Sequence, residues 1–161
     1  MTTRTARPAA LSSALVGVMM LGGCGLQPSG VEEGPEAPTG LAPGVTLYFL
    51  DDDENLIPQQ RETGQLGSIS DAVGLLLTGP GNSGLSTGID ETTVTRVVTS
   101  ERSEVIELRL PLARHQVEDA GVDQIVCTTA ATHVQAGGSP EIPVQLRFTD
   151  ISEEPAVCPV L

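Results

Sequence analysis

The sequence has no tryptophan and no lysine, and it contains only one tyrosine and two phenylalanines. The three aromatic residues fall in strand-like segments and are expected in the core, which disfavours a sugar-binding surface of exposed rings. Eight basic residues oppose 21 acidic ones, which gives a net charge of −13. Because such a chain is repelled by phosphate backbones, we expect no nucleic acid among its partners.

Metal-ligand spacings are also missing. The three cysteines and two histidines form no CxxC pair and no Cys/His cluster, so a zinc site has no support. The acidic run Asp51–Glu54 could attract Ca²⁺, but it lacks the glycine and the terminal glutamate of an EF-hand loop. We interpret the run as a solvated turn and expect neither a metal nor another cofactor.

The segment before Cys24 has the organisation of a secretory signal peptide. Arg4 and Arg7 precede an apolar run from Ala9 to Leu21, which is shorter than the about 20 residues that span a bilayer. The stretch Leu21-Gly22-Gly23-Cys24 resembles the lipobox of bacterial lipoproteins, in which the cysteine is acylated and the preceding peptide bond is cut. We therefore expect residues 1–23 to be a lipoprotein signal peptide. A conventional cleaved signal peptide with an incidental cysteine is the alternative.

Residues 24–44 are rich in proline, glycine and glutamate. They contain too little apolar surface to offset the entropy of ordering, so we expect a disordered tether that begins at the lipidated Cys24. The six arginines and 21 acidic residues after the leader give the mature chain a charge of −15. This interpretation locates the protein on the extracytoplasmic face of the cell membrane, with residues 45–161 as its folded domain and C-terminal tail.

Two cysteines remain for the folded part. In an oxidising compartment Cys127 and Cys158 can form a disulfide that ties the C-terminal tail to the body of the domain. On the chain-entropy account, such a bridge contributes roughly 3–4 kcal/mol. Two free buried thiols are the alternative, since spacing along the chain does not place the two Cα atoms within bonding distance.

Hydrophobic periodicity predicts an α+β fold in a single domain. We expect a mixed β-sheet of about four strands, with two helices packed on one face and the chain order strand, helix, strand, strand, helix, strand. A short extended piece over Leu56–Arg61 can add to it. The predicted elements are a strand over Val45–Leu50, a helix capped by Ser68 or Ser70 that ends at Thr78-Gly79-Pro80, strands over Thr92–Thr99 and Glu104–Leu110 joined by a turn at Ser100–Ser103, a helix over Val117–Thr132 that Gly137-Gly138 breaks, and a strand over Ile142–Phe148.

The loop Gly84-Leu85-Ser86-Thr87-Gly88 matches the G-x-S-x-G nucleophile elbow in form. An elbow requires a strand before the serine and a helix after it, whereas here a predicted helix and a Gly/Pro turn precede it. We interpret this loop as a glycine-rich turn rather than a nucleophile elbow. A serine hydrolase that uses Ser86 with His115 or His133 as base stays open as the alternative.

Several landmarks together resemble the GerMN domain, named for sporulation and spore germination and common in lipoproteins of Gram-positive bacteria. These landmarks are Leu47-Tyr48-Phe49, Arg61, Leu76-Leu77-Thr78-Gly79-Pro80, Gly84-Leu85, Thr87, Ile89 and Gln124-Ile125-Val126. The resemblance covers roughly residues 45–150, and Gly79-Pro80 followed by Gly84-Leu85 is its most specific piece. The chain departs from the pattern at Asp90, where a proline usually follows the isoleucine.

The resemblance implies a compact module without known catalysis that acts in cell-envelope or spore-envelope assembly, and some related modules oligomerise. We expect a non-enzymatic, lipid-anchored envelope protein that binds another envelope protein or the cell wall and can form homo-oligomers. The candidate interaction residues are Arg61, Gly79, Pro80, Gly84 and Leu85. Arg61 is expected to pair with a carboxylate, either in a site or as a structural ion pair. A solute-binding lipoprotein is a further alternative, although such proteins generally need two lobes.

Overall fold

An antiparallel hairpin is the first element of the structure, a computed structural model that describes residues 44–64, 67–102 and 104–161. Strand β1 (Gly44–Leu50) pairs with β2 (Leu56–Glu62). At the turn between them, the Asp51 carboxylate accepts the backbone N–H groups of Asp53 and Asn55. The acidic run thus forms a turn, as predicted. The predictions for residues 1–23, for Cys24 and for the tether lie outside the described residues.

The first helix, α1 (Ile69–Leu76), is capped by Ser68, one of the two predicted caps. The Ser68 hydroxyl accepts the Asp71 N–H at 3.2 Å, and the Asp71 carboxylate accepts the Ser68 N–H at 3.1 Å. This reciprocal pair satisfies two of the backbone donors that every helix start leaves free. The apolar residues at helical spacing face the core: Ile69, Ala72, Val73 and Leu76.

Three further strands form a mixed sheet in the spatial order β3-β4-β5. Strand β3 (Val98–Arg102) runs antiparallel to β4 (Val105–Arg109), and β4 runs parallel to β5 (Val144–Arg147). Parallel neighbours need a long crossover. Helix α2 (Asp119–Gln135), preceded by a short 3₁₀ turn over Arg114–Gln116, lies in this connection. The backbone of the C-terminal tail then bridges to β5 at Val144–Ala156 and at Arg147–Ser152.

The predicted hairpin was wrong in its boundaries. The strand begins at Val98 rather than Thr92, and Ser100–Arg102, predicted as part of a turn, pair with β4. In the β-branched run before β3, the Thr92 side chain bonds to the backbone N–H and carbonyl of Val94. Such local bonds compete with a strand ladder at the beginning of this run. The last strand is also shorter than predicted, Val144–Arg147.

The α+β class and the single domain are confirmed, but the strands form two sheets, of two and three strands, rather than one. The second edge of β1 explains the division. There the Tyr48 N–H donates to the Thr128 hydroxyl at 3.0 Å, and the Gln124 side-chain amide donates to the Tyr48 carbonyl at 2.9 Å. Leu50 pairs its backbone with Ser86 in the glycine loop. Groups from α2 and a loop therefore occupy the edge where another strand would pair.

Candidate functional site

The corner after α1 contains three of the candidate interaction residues, Arg61, Gly79 and Pro80. Gly79 has a left-handed backbone, φ +84°, in the turn that follows α1. Arg61 from β2 donates to the Gly79 carbonyl at 3.3 Å and to the Gln59 side-chain oxygen at 3.4 Å. Gly79 lies three residues beyond the last residue of α1, so this bond ties β2 to the turn after the helix.

Within residues 44–64, 67–102 and 104–161, Arg61 makes no ion pair with the expected carboxylate. Its partners there are the Gln59 side-chain oxygen and the Gly79 carbonyl in the turn after α1. The side chain therefore holds β2 against the exit of α1, which is a positioning role.

A cavity of about 230 Å³ opens at the same corner, between α1 and the end of the glycine loop. Its walls combine apolar residues, two threonines, Gly79 and two acids: Leu76, Leu77, Ile89, Thr78, Thr87, Asp90 and Glu91. Asp90 and Glu91 are exposed, whereas Leu76 and Ile89 belong to the core. The cavity therefore has an apolar floor and an acidic rim.

Of the candidate interaction residues, Gly79 lines this cavity directly. Leu85 packs against the core, and Gly84 has a left-handed backbone, φ +77°, that lets the loop turn. Pro80 directly follows Gly79 and is half-buried. The structure thus brings Arg61 and Gly79 into contact at this corner, whereas Gly84 and Leu85 belong to the glycine loop that follows.

Asp90, the departure from the family pattern, has a backbone role at this corner. Its N–H donates to the Gln116 carbonyl at 2.8 Å, just before α2. A proline has no N–H and could not make this bond. The substitution therefore adds both a backbone tie and a carboxylate at the rim of the cavity.

A buried glutamine, which the sequence analysis did not single out as a site residue, connects the glycine loop to the core. The Gln124 side-chain oxygen accepts the Gly88 N–H at 2.8 Å and the Thr87 hydroxyl at 3.2 Å, while its amide donates to the Tyr48 carbonyl. We call Tyr48, Thr87, Gly88, Gln124 and Thr128 the Gln124 junction. Gln124 is fully buried, and a polar residue within the apolar part of a helix pattern was the signal that could have identified it.

The glycine loop also contacts the start of α2 closely. A Cβ on Gly121 would lie 2.3 Å from the Gly88 carbonyl oxygen, and one on Gly88 would lie 2.8 Å from the Gly121 nitrogen. Only glycine at both positions allows this approach. The Gly88 carbonyl also accepts the Glu118 N–H at 2.8 Å.

Ser86 is held by β1. Its backbone pairs with Leu50, and its hydroxyl donates to the Leu50 carbonyl at 3.4 Å. Within the described segments, no hydrogen bond joins Ser86 to either histidine: His115 is exposed, and His133 faces Glu101 at 3.7 Å. The structure does not bring together the residues of the hydrolase alternative.

Cys127 and Cys158 form a disulfide, with their Cα atoms 4.7 Å apart and both residues buried. The pairing proposed from the sequence is therefore present. It connects α2 to the tail, whose backbone bridges to β5 through Ala156. No group of side chains able to hold a metal ion occurs among residues 44–64, 67–102 and 104–161, and no helix in these segments is long and apolar enough to cross a bilayer.

A second polar cluster lies on the three-stranded sheet. Glu107 of β4 is nearly buried and pairs with Arg147 Nε at 2.9 Å, Arg109 Nε at 3.3 Å and Arg102 Nη1 at 3.6 Å. Burial raises the pKa of Glu107, but the hydrogen bonds and charges of Arg147 and Arg109 outweigh it and lower the pKa below its ordinary value. We call these four residues the arginine face.

Comparison with known proteins found no matching family model, no similar curated protein and no similar solved structure. The GerMN resemblance therefore stays a prediction from the residues.

Proposed function

We propose that the chain is a lipid-anchored extracytoplasmic protein of the cell envelope. The observation that carries the proposal is the Cys127–Cys158 disulfide. Disulfides persist in oxidising compartments outside the cytoplasm. The bridge also accounts for two of the three cysteines in the sequence, which leaves Cys24, at the lipobox-like junction, as the one thiol available for acylation.

We further propose that the folded domain is a non-enzymatic binding or assembly module of GerMN type. Its partner would be another envelope protein, in preference to the cell wall, at the corner after α1. A cavity with an apolar floor and two carboxylates at the rim suits the alkyl stem and charged head of a basic side chain. Participation in sporulation or germination rests on the family resemblance alone.

Lipid anchoring is tested by partition of the full-length protein between detergent and aqueous phases. Wild type should enter the detergent phase, because two or more acyl chains bind stably to lipid whereas one does not. Cys24→Ser should move to the aqueous phase. Cys158→Ser is the matched control and should partition like wild type. If wild type enters the aqueous phase, or if its mature chain does not begin at a lipid-modified Cys24, the proposal fails.

The binding role is tested by photocrosslinking in intact membranes. A photoreactive residue at Glu91, on the rim of the cavity, should capture a defined protein partner. The same residue at Gln60, exposed on β2, is the matched control and should not. Capture of wall glycan at Glu91 would reassign the partner, and equal products from both positions would show that this corner is not the interface.

A further inference from the structure

The arginine face concentrates positive charge in a strongly acidic protein. Three of the six arginines after the leader meet at one glutamate, although the chain carries 21 acidic residues. The Glu107 side chain is 4% exposed, whereas those of Arg102, Arg109 and Arg147 are 62%, 67% and 43% exposed. One buried carboxylate thus holds three guanidinium groups at the surface, and it neutralises only one of them.

The pairing geometry leaves hydrogen-bond donors available. Arg109 and Arg147 each contact Glu107 through Nε, and in the described part of the chain their Nη groups have no hydrogen-bond partner. The two residues lie opposite each other in the parallel register of β4 and β5. Strands in a sheet are about 4.8 Å apart, so the two guanidinium groups start from neighbouring backbone positions. Glu107 fixes their inner ends and leaves their outer ends free.

Arg109 and Arg147 line the same cavity, of about 380 Å³, at the end of β4 and β5. Thr149 and Ser152 add hydroxyl groups to its wall. Asp150 is the acidic group there, and its carboxylate already accepts the backbone N–H groups of Arg114 and Ile151. Two arginines with free donors therefore face one carboxylate that has partners of its own.

We propose that Arg109 and Arg147 bind a phosphate group, with Glu107 as the positioning residue that orients both. Guanidinium groups match phosphate in bidentate geometry. A tetrahedral phosphate can present different oxygens to two arginines at once, whereas a carboxylate has only two oxygens in one plane. This site is independent of the corner after α1 and of the lipid anchor.

The test is calorimetric titration of full-length protein in a maltoside detergent, which contains no phosphate, at pH 7 and constant ionic strength. Inorganic phosphate should bind more tightly than acetate. Arg109→Gln/Arg147→Gln should weaken phosphate binding at least about tenfold, because several charge-assisted hydrogen bonds are lost. Arg96→Gln removes an exposed arginine elsewhere and should bind like wild type.

Equal losses in Arg96→Gln and in the double variant would overturn the proposal, because they would show a general charge effect. Unchanged phosphate binding in the double variant would overturn it too, and acetate binding as tight as phosphate would overturn the choice of phosphate. Should the double variant not fold, as judged by circular dichroism, Arg109→Gln alone serves, because that side chain is mostly exposed.

Glu107→Gln tests the positioning role separately. The change makes the face more positive, so a purely electrostatic site would bind phosphate more tightly. A site that depends on oriented guanidinium groups would bind more weakly instead, and this loss is the expected result. Tighter binding by Glu107→Gln would remove the positioning role.

Discussion

The Gln124 junction and the arginine face are both clusters of polar residues on helices and strands. They differ in how many of their hydrogen-bonding groups have partners within the protein. At the junction, neutral groups from α2, β1 and the glycine loop bond one another, and Gln124 is fully buried. On the arginine face, one buried carboxylate meets three charged side chains whose outer ends are open to solvent.

This difference in hydrogen bonding indicates that the two clusters have different roles. A buried polar group contributes to stability when every partner is in place, and its loss leaves several groups unpaired. On the arginine face only the arginines are solvated, and Glu107 keeps two arginine partners when one is removed, so the loss of a single exposed arginine should cost little stability. We therefore expect the junction to control folding and the arginine face to control ligand binding.

Gln124→Leu should give the largest loss of stability. Leucine has a similar volume but leaves the Tyr48 carbonyl and the Gly88 N–H buried without partners, at a cost of about 3 kcal/mol or more in the free energy of unfolding. Urea unfolding measures the change. Gln145→Leu, at a half-buried position whose amide makes one bond of 3.4 Å to Glu153, is the control and should cost less than about 1 kcal/mol. Similar losses of unfolding free energy in Gln124→Leu and Gln145→Leu would show that the junction has no special role in stability.

Cys158→Ser should destabilise the fold by about 3–4 kcal/mol, because the disulfide closes a separation of 31 residues. This bond joins α2, the helix of the junction, to the tail that borders the arginine face. Cys24→Ser should leave the urea midpoint unchanged. A Cys158→Ser midpoint equal to that of wild type would mean that the two regions are held together without the bridge.

Gly121→Ala should destabilise the fold, although a change from glycine to alanine in a helix usually stabilises it. Alanine normally stabilises a helix interior relative to glycine by about 1 kcal/mol. Here the new methyl would lie 2.3 Å from the Gly88 carbonyl oxygen, so we expect a loss of about 1–3 kcal/mol from overpacking. Thermal unfolding followed by circular dichroism decides the sign. A stabilised variant would show that the glycine loop can move away from α2 without cost.

Arg109→Gln should give the smallest change in the urea midpoint at neutral pH. The folded-state pKa of Glu107 is depressed, so its ion pairs contribute stability above the unfolded pKa and lose it as pH falls through the folded pKa. The difference between wild type and Arg109→Gln should therefore close as the pH is lowered from about 5. If the difference in stability widened on acidification, carboxylates other than Glu107 would be responsible for it.

Local sequence patterns predicted the helices and strands whose ends are marked by nearby residues. Ser68, one of two predicted caps, marked the start of α1, Gly79 lies just beyond its end, and apolar residues at alternating positions identified β1 and β4. The predicted start of β3 was wrong: Thr92 bonds locally to Val94, and pairing with β4 begins at Val98 and includes the polar residues Ser100–Arg102. Pairing with β4 sets the boundary of β3, and the local sequence gives no sign of it.

The site was predicted in part. Gly79-Pro80 indicated the corner after α1, whereas the bond from Arg61 to the Gly79 carbonyl was not predicted, because a backbone carbonyl has no signature in sequence. The Gln124 junction and the arginine face each join residues far apart in the chain. Their members become neighbours only through helix–strand packing and the parallel register of β4 and β5.

Peptide mass spectrometry of the protein extracted from membranes, without reduction, tests the central claim most directly. The account predicts an N-terminal peptide that begins at Cys24 with a diacylglyceryl modification, together with one cross-linked peptide pair that joins Cys127 to Cys158. A mature chain that retains the leader, or that carries Cys24 without lipid, would contradict the lipid-anchored envelope assignment.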